Sequence, residues 1–214
     1  LFPDGVATSL RMYFFHSPNG RMLVIAGQRV SHEKLDEGTK HGAVVREIRD
    51  DHTLGDIFTL ILDPACKSPS PMFDTSSDKG CVEACRQLLA NRPFLQTQDY
   101  GVLLGDRRLK WNVIAETNRR LKSFGKAFSF FHRADGALVG ICKQGWTIVS
   151  TDNGETWSEP VRPSTLITNN AKVWGTKTPD GRYALVYNPK PSDRFPLAMV
   201  TGDDGITFSN MRIV

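Results

Sequence analysis

Basic, amide and aromatic residues in the loops of this sequence could bind an acidic ligand and move a proton. The best single candidate for proton transfer is His41, followed by Gly42 at the head of a predicted strand, because imidazole titrates near neutral pH. Arginine guanidinium groups pair bidentately with carboxylates, and tryptophan faces suit the apolar side of a sugar ring. The alternative is that these cations are simply solvated and that the tryptophans pack internally. The candidate ligand-binding residues are Gln28, Arg29, His32, Lys143, Trp146, Asn170, Lys172 and Arg194, with Arg119 and Arg120 as further cations.

Two octapeptides share a pattern that predicts a tight, buttressed turn. Residues 150–157 read Ser-x-Asp-x-Gly-x-Thr-Trp, and residues 201–208 form a second copy. Asp152 can accept hydrogen bonds from backbone N–H groups two or three residues on, and Gly154 can supply a positive φ. Trp157 can fill the gap beside the turn with a large apolar ring. We therefore expect a structural role for these residues. The corresponding residues of the second copy are Asp203, Gly205 and Phe208.

The spacing of these turns predicts an all-β fold made of four-stranded antiparallel blades. Asp152 and Asp203 are 51 positions apart, about the length of one blade of a β-propeller. Three segments (14–24, 130–139 and 178–186) place Asn-Gly or Asp-Gly between two β-rich runs, which is the strongest short hairpin signal. Each repeat therefore reads as hairpin, loop, strand, octapeptide turn and strand.

We expect residues 1–214 to form part of a single β-propeller domain. The predicted blades cover about 9–62, 98–118, 126–162 and 172–214, with an inserted loop and helix over 63–97. The helix should run from Ser76 to Asn91 and end near Pro93. These blades amount to about three and a half. Because rings of four to eight blades are usual, we expect a six- or seven-bladed ring of which this chain holds a part.

The octapeptides resemble the Asp-box of the sialidase-like, BNR-repeat β-propellers, and the first copy fills every defining position. The resemblance implies that hairpin turns and Asp-boxes lie on one face of the propeller and that the active site lies on the other. It places the candidate binding residues on the functional face, which is rich in cations and poor in carboxylates. No Arg-Ile-Pro sequence, which true sialidases carry, occurs in the chain.

A narrower likeness lies in residues 172–198. Lys172-Val173-Trp174-Gly175, the run from Thr178 to Pro189, and Pro196-Leu197-Ala198 resemble propeller enzymes acting on terminal L-rhamnose linked α-1,4 to glucuronate. This resemblance implies catalytic roles for His41 and for Arg119 or Arg120. A lyase beside a uronate needs Arg to neutralise the carboxylate, together with a base and an acid. A hydrolase of the usual kind needs an Asp/Glu pair instead.

We therefore expect a polysaccharide lyase or glycoside hydrolase that removes a terminal sugar, such as L-rhamnose, from a uronate-containing plant polysaccharide. The alternatives are an exo-sialidase and a non-catalytic glycan-binding propeller. The resemblance implies a secreted or periplasmic protein whose partner is an oligosaccharide or polysaccharide. We expect no cofactor, although a structural cation in the propeller channel remains open.

Composition excludes several other classes of protein. The net charge of +4 is mild and the basic residues are scattered, which does not favour nucleic-acid binding. No run of about 18 apolar residues predicts a membrane span, and no leader follows Leu1, so we expect any signal peptide to be absent or removed.

Cys81 and Cys85 should be neighbours on the helix, without the further ligands of a zinc site. We expect buried free thiols at Cys81 and Cys85, a link from Cys66 to Cys81 or Cys85 being the alternative, and the sequence leaves the disulfide state of Cys142 open.

Overall fold

The computed structural model describes Phe2 and residues 12–28, 42–64, 66–97, 128–168 and 171–214. The described strands form three antiparallel sheets, so the predicted all-β fold of antiparallel blades is confirmed. The chain divides into two compact units. The first unit comprises residues 1–91 and 100–106, and the second comprises 92–99 and 107–214. The blade predicted over 98–118 lies outside the described residues. The assignment of the whole chain to one domain stays a prediction.

The first unit contains one four-stranded sheet. Its strands, in the order β1-β2-β3-β4, are β1 (Met12–His16), β2 (Met22–Gln28), β3 (Gly42–Ile48) and β4 (Leu54–Leu62). The two central strands are apolar on both faces, and Leu23, Val24, Ala43 and Val44 are fully buried. A short 3₁₀ turn over Phe73–Thr75 leads to helix α1 (Lys79–Ala90).

The start and the buried face of helix α1 are explained by its sequence. The single helix that was predicted, however, is followed directly by a second one. The carboxylate of Asp78 caps α1 by accepting the Cys81 backbone N–H at 3.0 Å. Val82, Cys85 and Leu88 are buried at helical spacing. After Asn91 a second helix, α2 (Arg92–Thr97), begins in the second unit. Pro93 does not end the helical segment, because proline is tolerated in a first turn where its missing N–H has no intrahelical acceptor.

The first sheet of the second unit has three strands rather than the four expected. They are β5 (Ser129–His132), β6 (Leu138–Ile141) and β7 (Thr147–Ser150). The fourth position is taken by an irregular segment that bonds to β7 through Ser158 N–H to Val149 O (2.8 Å) and a bridge between Val161 and Thr147. Pro160 lies between these contacts and has no N–H to donate, which explains why the segment does not form a regular strand.

The second sheet of this unit is a complete four-stranded blade. Its order is β11-β10-β9-β8, with β8 (Trp174–Lys177), β9 (Tyr183–Tyr187), β10 (Ala198–Gly202) and β11 (Ser209–Ile213). The hairpins predicted from Asn-Gly and Asp-Gly join β1 to β2, β5 to β6 and β8 to β9. Gly20, Gly136 and Gly181 occupy the same turn position with φ of 87°, 84° and 85°, a conformation that favours glycine.

The two sheets of the second unit pack face to face through aromatic side chains. Phe131 on β5 lies 5.4 Å from Tyr183 on β9, measured between ring centroids. Gly175 on β8 allows this approach, since a Cβ there would lie 2.9 Å from the Phe131 ring. The Ala134 backbone N–H in the β5–β6 turn donates to the Tyr183 hydroxyl at 2.7 Å. The hairpin ends of the two sheets are therefore adjacent, and their opposite ends also lie on one side of the unit.

All four cysteines, Cys66, Cys81, Cys85 and Cys142, are free thiols, which confirms the prediction for Cys81 and Cys85. Neither of the helices described above is long and apolar enough to cross a membrane.

Candidate functional site

The first Asp-box forms a hydrogen-bonded turn after β7. The Asp152 carboxylate accepts the Thr156 backbone N–H at 2.9 Å, the Thr156 hydroxyl and the Ser150 hydroxyl at 2.7 Å. The Gly154 N–H donates to Ser150 Oγ at 2.8 Å. Trp157 is half-buried, and its Nε1–H donates to the Gly154 carbonyl at 3.2 Å. This carboxylate is fully engaged in closing the turn, so its role is structural.

Helix α2 covers this Asp-box. The buried Gln96 side chain donates from Nε2 to the Gly154 carbonyl at 3.0 Å. Arg92 at the start of the helix pairs with Glu155 in the turn at 2.6 Å. Side chains at both ends of α2 thus attach this helix to the first Asp-box turn. Sequence analysis did not predict this contact, because it depends on a helix about sixty residues upstream.

The second Asp-box uses a different aspartate from the one predicted. Asp204 Oδ1 accepts the Ile206 and Thr207 backbone N–H groups at 2.8 and 2.7 Å. Partial burial raises the pKa of Asp204, but these hydrogen bonds outweigh it and the net pKa is lowered. The cap expected at Asp203 therefore lies one residue later. Gly205 retains a φ of 73°, and Phe208 is buried in the place of the first-copy tryptophan.

We predict that Asp152 contributes to the loss of stability at acid pH. Hydrogen bonds from the Thr156 hydroxyl and backbone, and then from Ser150, lower the pKa of Asp152 from 3.8 to about 2. Because the folded-state pKa is depressed, the stabilisation is present above about pH 4 and is lost as the pH falls towards 2. Asp152→Asn should reduce the fall of the thermal midpoint between pH 5 and pH 2, measured by circular dichroism.

A second carboxylate in the same unit provides a comparison for this acid titration. Hydrogen bonds from Thr178 and Arg182 lower the pKa of Asp180 to about 2, so Asp180→Asn should remove a separate part of the same acid dependence. If the pH profile of Asp152→Asn superimposes on that of the unmodified chain, the inferred pKa of Asp152 is incorrect.

In the second unit, the ends of the two sheets opposite the hairpins form the candidate functional site, here called the site end. In the first sheet of the second unit it consists of the β6–β7 turn. Cys142 N–H donates to the Trp146 carbonyl at 2.8 Å, and Gln144 holds a positive φ of 63° inside the turn. Arg162 donates from Nε to the Gln144 carbonyl at 2.9 Å, and its Cζ lies 5.3 Å from the Trp146 ring centroid. Trp146 was predicted to face ligand, yet one of its faces carries Arg162.

In the next sheet the site end is the β9–β10 loop and the start of β8. Asn188 braces the loop by donating from Nδ2 to the carbonyls of Arg194 and Pro196, the latter at 3.2 Å. Asp193 Oδ1 accepts the Phe195 backbone N–H at 3.2 Å. The side chains of Arg194 and Phe195 are exposed on this loop. Lys172, just before β8, and Trp174, the first residue of β8, are exposed as well.

The site end of the second unit carries an excess of positive charge. Within its described segments, 142–146, 161–162, 171–174 and 188–197, five side chains are cationic and one, Asp193, is a carboxylate. Among the residues that the structure describes, no cluster of three or more His, Cys, Asp or Glu could hold a metal ion. The arrangement suits recognition of an anion rather than catalysis by paired carboxylates. The cations are Lys143, Arg162, Lys172, Lys190 and Arg194.

The predicted site residues divide into three groups. Lys143 and Trp146 are half-buried in the β6–β7 turn, and Lys172 and Arg194 are exposed at the site end, as the topology requires. Gln28 is buried in the first unit, and its Nε2 donates to Ser68 Oγ at 2.9 Å. The structure thus gives Gln28 an internal hydrogen-bonding role in place of the predicted ligand contact. Six predicted residues lie outside the described part of the chain: Arg29, His32, His41, Arg119, Arg120 and Asn170.

Comparison with known proteins agrees with this geometry. Residues 6–100 match a family model described as a BT_1020-like, N-terminal beta propeller, and residues 112–214 match one described as a BNR repeat-like domain. A solved structure titled "Sialidase" aligns with the whole chain at 29% identity and a TM-score of 0.74. Together these matches support a similarity of the chain to the sialidase-like, BNR-repeat β-propellers. The narrower likeness to rhamnose-releasing enzymes receives no support from these matches.

The chain spans only 21% of the length of that solved structure. A second structure, of a protein of unknown function from Dyadobacter fermentans, aligns over 94% of this chain and 50% of its own, with 12% identity and a TM-score of 0.33. A search of the curated proteins gave no match.

Sequence analysis did not single out Arg162 as a residue of the site end. Arg162 lies directly after the last contact of the irregular fourth segment, at the link towards the next blade. The predicted blade extended over residues 126–162, which assigned Arg162 to its interior. Its position after Pro160 and before Pro163, where a regular strand must end, is the signal that could have identified it.

Proposed function

We propose that this chain is part of a carbohydrate-active propeller that binds a uronate-containing glycan at the site end and removes its terminal sugar. The observation that carries the carbohydrate assignment is the alignment of the whole chain with a protein titled "Sialidase". Because the chain spans a fifth of that protein, the activity of the complete protein is part of the proposal. We also propose a secreted or periplasmic location, consistent with a polysaccharide substrate.

The acidic class of substrate is supported by the charges of the site end. Five cations and one carboxylate in its described segments produce a positive potential that favours a ligand carboxylate. Asp193 offsets one of these charges, and one of its oxygens accepts the Phe195 N–H at 3.2 Å. Exposed aromatic rings at Trp174 and Phe195 offer apolar faces of the kind that sugar rings contact.

The proposed chemistry is lyase or glycosidase chemistry without an acidic pair at the described site end. His41 is the proposed proton-transferring residue, and Arg119 or Arg120 the proposed partner of the substrate carboxylate. Terminal L-rhamnose on glucuronate is the proposed substrate end, motivated by the sequence of residues 172–198. A non-catalytic glycan-binding role is the second candidate, since the same cations and aromatic rings would serve recognition alone.

The proposal predicts sugar release from an acidic polysaccharide. The full-length protein is incubated with gum arabic and, separately, with a sialoside, while free sugar and the absorbance of unsaturated uronate are followed. Rhamnose release with new absorbance indicates a lyase, and rhamnose release without it indicates a hydrolase. His41→Ala should abolish turnover, with His132→Ala, an exposed histidine at the hairpin end, as the matched control that retains it.

Two results would redirect the assignment. Sialic acid release, with no action on gum arabic, would show an exo-sialidase and refute the uronate proposal. Binding of the polysaccharide without any product would favour the recognition role. If neither substrate is bound or changed, the carbohydrate assignment itself fails.

A further inference from the structure

We propose that Arg162 is the residue of the site end that recognises the carboxylate of an acidic sugar. The inference rests on the proposed function, because it assumes that a glycan binds at this end of the sheets. It adds a named specificity residue that the sequence patterns did not indicate, and it assigns Trp146 the role of positioning that residue.

The backbone that precedes Arg162 and the turn that faces it are both fixed by hydrogen bonds. Val161 exchanges two hydrogen bonds with Thr147 on β7, at 2.8 and 2.9 Å, so the residue that follows it leaves the sheet at a defined point. The β6–β7 turn opposite is closed by the Cys142–Trp146 hydrogen bond at 2.8 Å. Gln144 has a positive φ, a conformation uncommon for a residue with a side chain and often found at functional sites.

The guanidinium group is held by two contacts that leave its outer edge available. Nε donates to the Gln144 carbonyl at 2.9 Å, and the planar group lies over the Trp146 ring at 5.3 Å, within the range of a cation–π contact. Trp146 itself packs against the buried cluster around Phe128 and Ile148. Within the described chain, neither Nη nitrogen of Arg162 has a hydrogen-bond or ion-pair partner, and the residue is exposed.

This geometry fits a planar oxyanion. Two parallel N–H groups match the two oxygens of a carboxylate, which adds geometric specificity to the charge. A solvated arginine must lose side-chain freedom when it binds, whereas Arg162 already has that freedom restricted by Gln144 and Trp146. Lysine at the same position would retain the charge but neither the fork nor the stacked plane. The ligand class is therefore a sugar acid, such as a uronate, rather than a neutral sugar.

The test compares an acidic oligosaccharide with its neutral counterpart. The affinity of the full-length protein is measured calorimetrically for a glucuronate-containing oligosaccharide from gum arabic and for the same oligosaccharide after reduction of its carboxyl groups. The unmodified protein should prefer the acidic form. Arg162→Gln should weaken that form about 10-fold or more, as expected for loss of a charged hydrogen bond, and should change affinity for the reduced form by less than about 2-fold.

Three variants make the result specific. Arg162→Lys should lose most of the preference despite its charge, and Trp146→Leu should lose part of it because the guanidinium is no longer held in place. Lys177→Gln removes one exposed charge at the hairpin end of β8 and should leave the preference unchanged. If Arg162→Gln keeps the preference of the unmodified protein, or weakens both ligands equally, the inference is overturned. If the unmodified protein binds both forms equally well, the glycan proposal survives and the carboxylate role of Arg162 does not.

Discussion

Phe131→Ala should lower the free energy of unfolding of the second unit by about 3–5 kcal/mol, the range for deleting a large aromatic ring from a core. Phe131 is only 5% exposed and belongs to the cluster that joins the two sheets of this unit. Its ring lies against Tyr183, and Gly175 faces it from β8. Collapse around the truncated side chain is limited, because β5 and β8 are each held in their own sheets. The loss should therefore be near the full cost of an unfilled cavity.

The measurement is urea unfolding followed by tryptophan fluorescence. Trp146, Trp157 and Trp174 all lie in the second unit, so the described tryptophans report on that unit. Phe195→Ala is the matched control, since the same ring is removed from a side chain that is 74% exposed. It should change stability by less than about 0.5 kcal/mol. Equal effects of the two substitutions would contradict the packing between the sheets.

The parts of the fold that were predicted correctly depend on short stretches of sequence. An Asn-Gly or Asp-Gly pair sets the turn conformation by itself, and Gly20, Gly136 and Gly181 all adopt it. The Asp-box pattern around Asp152 likewise contains both the acceptor and the N–H groups it binds. The helix cap at Asp78 is equally local. In each case the residues that determine the structure lie within about eight positions of one another.

The predictions that needed correction depend on residues farther away or on a choice between neighbours. The Asp203-Asp204 pair offers two carboxylates, and only the path of the chain after β10 decides that Asp204 meets the N–H groups. Helix α2 is stabilised by Gly154 and Glu155 of a distant turn, which no local pattern reveals. The buried position of Gln28 depends on Ser68, forty residues later.

The candidate site could be predicted in its charge but not in its geometry. Sequence alone identified loops rich in cations, and Lys143, Lys172 and Arg194 do lie at the site end. Which cation is held in a fixed orientation depends on the carbonyl of Gln144 and the ring of Trp146, both supplied by another strand connection. The roles of His41, Arg119 and Arg120 stay predictions, because these residues lie outside the described part of the chain.

Trp157→Ala should destabilise the second unit by about 3 kcal/mol, at the low end of the range for removing a large aromatic side chain because Trp157 is only half-buried. Two interactions are lost. The ring meets Phe128 edge-on with 5.8 Å between centroids, and Nε1–H donates to the Gly154 carbonyl, which also accepts the Gln96 side chain. The loss should appear in urea unfolding followed by circular dichroism, which does not depend on the removed fluorophore.

Trp157→Phe separates the two interactions, because it keeps an apolar ring and deletes the N–H donor. Its cost should be about 1 kcal/mol, the usual net value of one hydrogen bond, since Gly154 O retains Gln96 as a donor. The second Asp-box carries Phe208 at this position, and it is 4% exposed, so a phenyl ring can fill the same place. Trp174→Ala, which removes a ring that is 58% exposed, should cost less than about 0.5 kcal/mol. If Trp157→Phe is as damaging as Trp157→Ala, the indole N–H and not ring packing stabilises the turn, and the assignment of Trp157 as a packing residue fails.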